Sequence, residues 1–167
     1  MPVRKQLWKR NIMADLKITR RHLPHWDLSG SWYFITFRLR EGTLCAEERQ
    51  LVLEHVRSGD KRFYSLLAAT IMPDHVHVIL QPKLNIPLSR IMKGIKGPSA
   101  RMINQHGGKH GPLWQEESWD RIVRNEKDLH EKLNYLLNNA AKKEMVEDPW
   151  RYQTWFYNEN ALAAPDR

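Results

Sequence analysis

The chain has 167 residues, 41% hydrophobic and 28% charged, and its 27 lysines and arginines against 19 acids leave a formal charge of +8 at pH 7. That length suits one domain with a real core and is short for two. No stretch approaches the roughly 18 apolar residues of a membrane span, the first residues lack the apolar core of a secretory leader, and the single cysteine, Cys45, can close no internal disulfide. The expectation is a cytoplasmic protein with no membrane partner, and Cys45 reads as a small packing residue.

The excess positive charge gathers at the start. Residues 1–25 hold Arg4, Lys5, Lys9, Arg10, Lys17, Arg20 and Arg21 against the single acid Asp15. Such an arm attracts polyanions, and because phosphate contacts dominate nucleic-acid affinity, DNA or RNA is the first partner to consider. A solvated tail that only aids solubility is the alternative. Trp8, Trp26 and Trp32 lie near these charges, and aromatic rings stack on unpaired bases.

Alternation of Tyr33, Ile35, Phe37 and Leu39 with Trp32, Phe34, Thr36 and Arg38 predicts a first strand over 31–40. A helix over 46–57 follows, carrying Leu51, Leu53 and Val56 and stopping at Ser58-Gly59. A second strand over 63–72 pairs, through the turn at Pro73-Asp74, with a third over 75–81. Residues two apart in a strand project the same way, so His75 and His77 share one face while Val76, Val78 and Leu80 share the other. Two neutral imidazoles on a stiff element can hold a divalent cation, although two ligands leave a site incomplete. They can equally be two half-buried histidines in ordinary hydrogen bonds.

From Pro87 onward Leu88, Ile91, Met92, Ile95 and Met102 form an apolar stripe at helical spacing. Pro98 predicts a kink or break near Gly97. The opposite face carries Arg90, Lys93, Lys96 and Arg101, a row that either follows a phosphate backbone or is simply solvated. After a glycine-rich loop over 106–112, Leu113-Trp114 and residues 119–123 read as short extended pieces. Asn125 then caps a helix over 126–142, with Asp128 in its first turn. Leu129, Leu133, Leu136, Leu137 and Ala140 cluster as its buried stripe, and Tyr135 lies about a third of a turn from the stripe's centre. Asn139 sits one turn beyond Tyr135 on the same ridge, and Lys142 extends the row. A phenol, an amide oxygen and an ammonium so aligned can supply a nucleophile, a metal ligand and a phosphate clamp; a surface tyrosine without a role is the plainer reading.

Five pieces in order carry a resemblance: Leu23-Pro24-His25-Trp26, Met72-Pro73-Asp74-His75-Val76-His77, the block from Trp114-Gln115-Glu116-Glu117-Ser118-Trp119 to Asp120-Arg121-Ile122-Val123-Arg124, Tyr135 with Asn139, and Trp150-Arg151-Tyr152-Gln153-Thr154-Trp155. On these the chain resembles the REP-associated tyrosine transposases, single-tyrosine members of the HUH transposases. The resemblance implies an α+β domain, a ferredoxin-like antiparallel sheet with helices packed on one face. It divides the chain into a basic arm over 1–25, one catalytic domain over 26–157 and a tail over 158–167. It makes His75 and His77 the metal pair, Asn139 a further ligand and Tyr135 the nucleophile. One departure is plain. The family usually follows the asparagine with a proline and soon a glycine, whereas here Ala140-Ala141-Lys142-Lys143-Glu144 follows, so the helix is expected to run on for about a turn.

The activity so implied is metal-dependent cleavage, with possible rejoining, of single-stranded DNA beside a hairpin through a covalent 5′-phosphotyrosine. Mg²⁺ or Mn²⁺ is the cofactor, with Mn²⁺ expected to serve at least as well because imidazole is a soft ligand for magnesium. Arg4, Lys5, Lys9, Arg10, Arg20, Arg21, Lys93, Lys96, Arg101 and Lys142 are the candidate DNA contacts, and monomer and homodimer both remain open. A domesticated DNA- or RNA-binding protein that no longer cuts is the chief alternative. A histidine-triad nucleotide hydrolase lacks its third histidine, since the next residue on that face is Ile79, and a structural zinc site lacks a cysteine pair.

Overall fold

The computed structural model describes residues 30–162. Arg4, Lys5, Lys9, Arg10, Arg20 and Arg21, with the Leu23-Pro24-His25-Trp26 block, lie outside the described residues. The elements run β1 (Tyr33–Arg38), α1 (Ala46–Ser58), β2 (Tyr64–Ile71), β3 (His75–Pro82), α2 (Leu88–Gly107), β4 (Trp119–Ile122), α3 (Glu126–Lys142) and β5 (Trp155–Tyr157). The strands form one sheet in the order β4-β1-β3-β2-β5, with every neighbouring pair antiparallel. The βαββαβ succession with β3 at the centre is the ferredoxin-like α+β arrangement expected from the sequence.

Alternation along the strands gives the sheet two buried faces. Ile35, Phe37, Ala69, Ile71, Val76, Val78 and Leu80 pack with Val52, Leu53 and Val56 of α1 and Ile91, Ile95 and Ile103 of α2. Trp32, Leu67, Ala68 and Ile79 pack on the other side with Leu129, Leu133, Leu136 and Leu137 of α3. A register shift between Leu66 and Ala68 lets the consecutive residues Leu67 and Ala68 both reach the α3 side. The expectation of helices on one face is therefore corrected. It holds for α1 and α2, while α3 covers the opposite face because its leucine stripe needs an apolar surface that the first two helices leave open.

Of the kink or break expected near Gly97, the break does not occur: α2 is continuous for 20 residues. A proline removes the N–H that would bond the carbonyl four residues back. Here that carbonyl belongs to Gly94, and the ring of His55 on α1 binds it through Nε2 at 2.8 Å. A Cβ at Gly94 would meet nothing within 4 Å, so this turn of the helix is open enough for a side chain from α1 to reach its backbone.

Beyond α3 the chain adds a 3-10 turn at Pro149–Arg151, the edge strand β5 and a second 3-10 turn at Glu159–Leu162. Leu162 is buried in the α3-side core, and the Asn158 amide donates to the Leu67 carbonyl at 2.8 Å. The tail drawn from residue 158 thus begins with packed structure. No helix among the described residues is long and apolar enough to cross a membrane.

Candidate functional site

β3 sets His75 and His77 on the face that α3 covers, in line with Ile79 and opposite Val76 and Val78. Both imidazoles are buried, and their ring centroids lie 4.7 Å apart. The β1–β3 register sets Thr36 opposite His77 and Arg38 opposite His75. Thr36 Oγ1 and His77 Nδ1 are hydrogen-bonded at 2.7 Å. His75 Nδ1 donates to Asp74 Oδ1 at 2.6 Å, which leaves the lone pair of that ring on Nε2. A carboxylate or hydroxyl on one ring nitrogen orients the other toward a ligand. Each histidine is so placed.

α3 brings Tyr135 over the pair. Asn125 caps its start, accepting from the Asp128 amide at 2.9 Å, and the four leucines hold it to the sheet. The Tyr135 ring meets His77 edge-on at 5.2 Å, and both rings contact Phe34, which stacks on His77 at 5.5 Å. Tyr135 itself is 44% exposed, so the phenol is open to a partner while its helix is not. The Lys142 ammonium stands 5.4 Å from the Tyr135 ring centroid. Asn139 is buried one turn beyond Tyr135.

Burial pushes the His77 imidazole down to about 3, with His75 and Arg38 adding to the effect. Burial lowers His75 too, against the opposing hydrogen bond that its Nδ1 donates to Asp74. Neutral imidazole is the form that binds a metal. His77 Nε2 is buried with no partner among the described residues, a costly arrangement unless something accepts its lone pair or proton. With both rings engaged through Nδ1, their Nε2 atoms are left to face a ligand, and the two imidazoles fit a divalent ion.

Other expected contacts fall elsewhere. Lys93 and Arg101 lie on α2, across the sheet from the histidines, where they line a cleft of about 460 Å³ with His55, Phe63 and Arg90. Lys96 is a correction. Its ammonium donates to the carbonyls of Gln115 and Glu116 at 2.6 and 2.9 Å and to Ser118 Oγ at 3.3 Å, pinning that loop and leaving no donor for a phosphate. Cys45 is exposed rather than packed, at the start of α1. With Glu48 and His106 it forms a second group of ligand-type side chains whose donor atoms lie within 4.8 Å of one another, on the helical layer away from His75 and His77. The sequence reading missed Phe34, Thr36, Arg38 and Asp74 as neighbours of the pair. The alternation of the first strand puts Phe34, Thr36 and Arg38 on one face, but only the pairing register identifies that face.

Three comparisons bear on this arrangement. A family model described as IS200-like transposase matches residues 36–124, a span that includes both histidines and ends before Tyr135. A REP-associated tyrosine transposase of Escherichia coli (strain K12) is 26% identical over 132 residues, covering 75% of this chain and 76% of that protein. A protein of Haemophilus influenzae (strain ATCC 51907 / DSM 11121 / KW20 / Rd), provisionally given the same name, is 24% identical over 158 residues, covering 82% and 86%. Among solved structures, a REP-associated tyrosine transposase bound to a REP hairpin superposes with a TM-score of 0.65 at 19% identity, covering 90% of this chain and 93% of that one. At that identity the superposition speaks for the fold.

Proposed function

The chain belongs to the IS200-like transposase family, and from that premise we propose that it cleaves single-stranded DNA beside a hairpin by attack of Tyr135 on a backbone phosphorus. The observation that carries this reading is the edge-on contact of the Tyr135 and His77 rings at 5.2 Å, between elements about sixty positions apart in the chain. In the step proposed, the phenolic oxygen bonds to phosphorus and its proton passes to solvent. The bond from phosphorus to the 3′ oxygen breaks, and that oxygen takes up a proton as a free 3′-hydroxyl. The phosphodiester energy is kept in the tyrosine ester, so a hydroxyl can reverse the step without a nucleotide cofactor.

His75, His77 and Asn139 would hold Mg²⁺ or Mn²⁺, which when bound neutralises and orients a non-bridging phosphate oxygen. The chain's own groups do the rest. Asp74 and Thr36 fix the two imidazole planes, α3 fixes the phenol against them, and Lys142 lies beside the phenol. Arg4, Lys5, Lys9, Arg10, Arg20 and Arg21 remain proposed DNA contacts, with Lys93 and Arg101 on the far face. A relative's structure contains a REP hairpin, which supports a hairpin as the ligand here.

An end-labelled hairpin with a single-stranded extension, incubated with Mn²⁺ and run on a denaturing gel, tests the reading. A protein-linked strand is expected from the parent. Tyr135→Phe should lower adduct formation by at least about 10³-fold, with hairpin affinity within about twofold because the phenol contributes to the step and not to the arm's phosphate contacts. Nicking by Tyr135→Phe at the parent rate would show the nucleophile to be wrong, and no adduct from the parent would leave the non-cleaving binding protein.

A further inference from the structure

Arg38 ends β1 directly opposite His75, and opposed residues of an antiparallel pair project from the same face with their Cβ atoms about 5 Å apart. Arg38 is exposed, and none of the ion pairs found among the described residues includes it. Its charge acts on Asp74, His75 and His77. Lys143 also acts on His75, and Lys142 lies over the Tyr135 ring. Against these three cations, the carboxylate acting on the histidine pair is Asp74, which His75 already holds.

The candidate metal ligands, two imidazoles and an amide, are all neutral. A dication among them meets fixed positive charge and no anionic ligand, whereas hard cations such as Mg²⁺ and Mn²⁺ are ordinarily held by carboxylates or by substrate phosphates. A phosphodiester would supply the missing negative charge, and a planar guanidinium with five donors matches its oxygens. We propose that Arg38 contacts the phosphate at the break and makes metal and strand mutually dependent, so that each is held weakly without the other. By linkage the strand raises metal affinity by the same factor that metal raises strand affinity. This rests on the reading of His75 and His77 as metal ligands given above.

The experiment uses the full chain carrying Tyr135→Phe, so that no strand is cut. Mn²⁺ binding is followed by electron paramagnetic resonance with and without saturating oligothymidylate, after subtraction of Mn²⁺ held by the oligonucleotide alone. The strand is expected to tighten Mn²⁺ binding by about tenfold or more. Arg38→Gln should tighten Mn²⁺ binding to the free protein several-fold and shrink the strand's effect toward unity. Arg38→Lys, which keeps the charge, should retain most of the effect. Equal Mn²⁺ affinity with and without the strand, or an undiminished effect in Arg38→Gln, would overturn the role of Arg38. The variant His75→Ala with His77→Ala separates this from failure of the underlying reading. Loss of Mn²⁺ there keeps the metal pair whatever Arg38 does, and retention of Mn²⁺ overturns the pair and this inference with it.

Discussion

The central strand β3 carries two chemistries on its two sides. Toward α1 and α2 it presents Val76, Val78 and Leu80, each fully buried in a continuous apolar layer. Toward α3 it presents Ile79 and then, along the same line, His77 and His75, where the leucine packing gives way to rings, a hydroxyl and a carboxylate. The first side is a matter of filling volume. The second leaves a buried imidazole nitrogen unmatched and keeps a tyrosine hydroxyl open to solvent's side. Stability resides mainly on one face of the strand, and the other sacrifices some of it for a constellation of polar groups.

The comparison can be broken most severely on the apolar side. Leu80→Ala should cost about 3 kcal/mol, since a cavity replaces fully packed methyl groups, lowering Tm by roughly 6–12 °C in a thermal melt. A smaller loss would mean that the layer relaxes into the space.

On the polar side the effect is conditional on acidity. His77 titrates at about 3 in the folded chain and near 6.5 when unfolded. Between those values the unfolded chain binds the extra proton, so stability is full above pH ~6.5 and is lost as pH falls. In metal-free protein His77→Leu should remove this dependence, gaining on the order of 2 kcal/mol at pH 5 relative to its own effect at pH 8. Parallel melting curves for parent and variant across that range would contradict the burial argument.

The smallest change sharpens how α3 is held. Its C-terminus closes with Met145 N–H on the Ala140 carbonyl and Glu144 N–H on the Ala141 carbonyl, both at 3.0 Å, a Schellman closure with Glu144 in the left-handed position at φ +58°. Glycine adopts that conformation without the Cβ penalty, so Glu144→Gly should add about 1 kcal/mol and raise Tm by about 2–4 °C. No gain would mean that the glutamate side chain offsets its own strain.

Much of this architecture was legible from local pattern. The alternation of β1, the turn at Pro73-Asp74 between β2 and β3, and the Asn125 cap with its leucine stripe are each encoded within a few neighbouring residues, and each element formed where expected. The helix did run on past Asn139, ending at Lys142. What was not legible depended on distant partners. Pro98 reads as a break until His55 of another helix satisfies the Gly94 carbonyl. Lys96 reads as one of a basic row until three acceptors of the 115–118 loop close around it. The alternation leaves open what the side of the strand carrying Thr36 and Arg38 faces until the register puts them beside the histidines. β5, three residues long, offers too short an alternation to recognise, and the side of the sheet that α3 takes is decided by which surface the other helices have left bare.

The four leucines of α3 also bear on whose histidines the tyrosine can serve. To hand Tyr135 across to a second molecule, the helix would have to peel Leu129, Leu133, Leu136 and Leu137 from their own sheet, a loss of roughly 6–12 kcal/mol at 1.5–3 kcal/mol apiece. That rivals the whole stability of an ordinary domain. A second copy of the chain that gave up its own α3 would offer the same berth, so a reciprocal exchange of this helix regains those contacts, whereas a one-way transfer forfeits them.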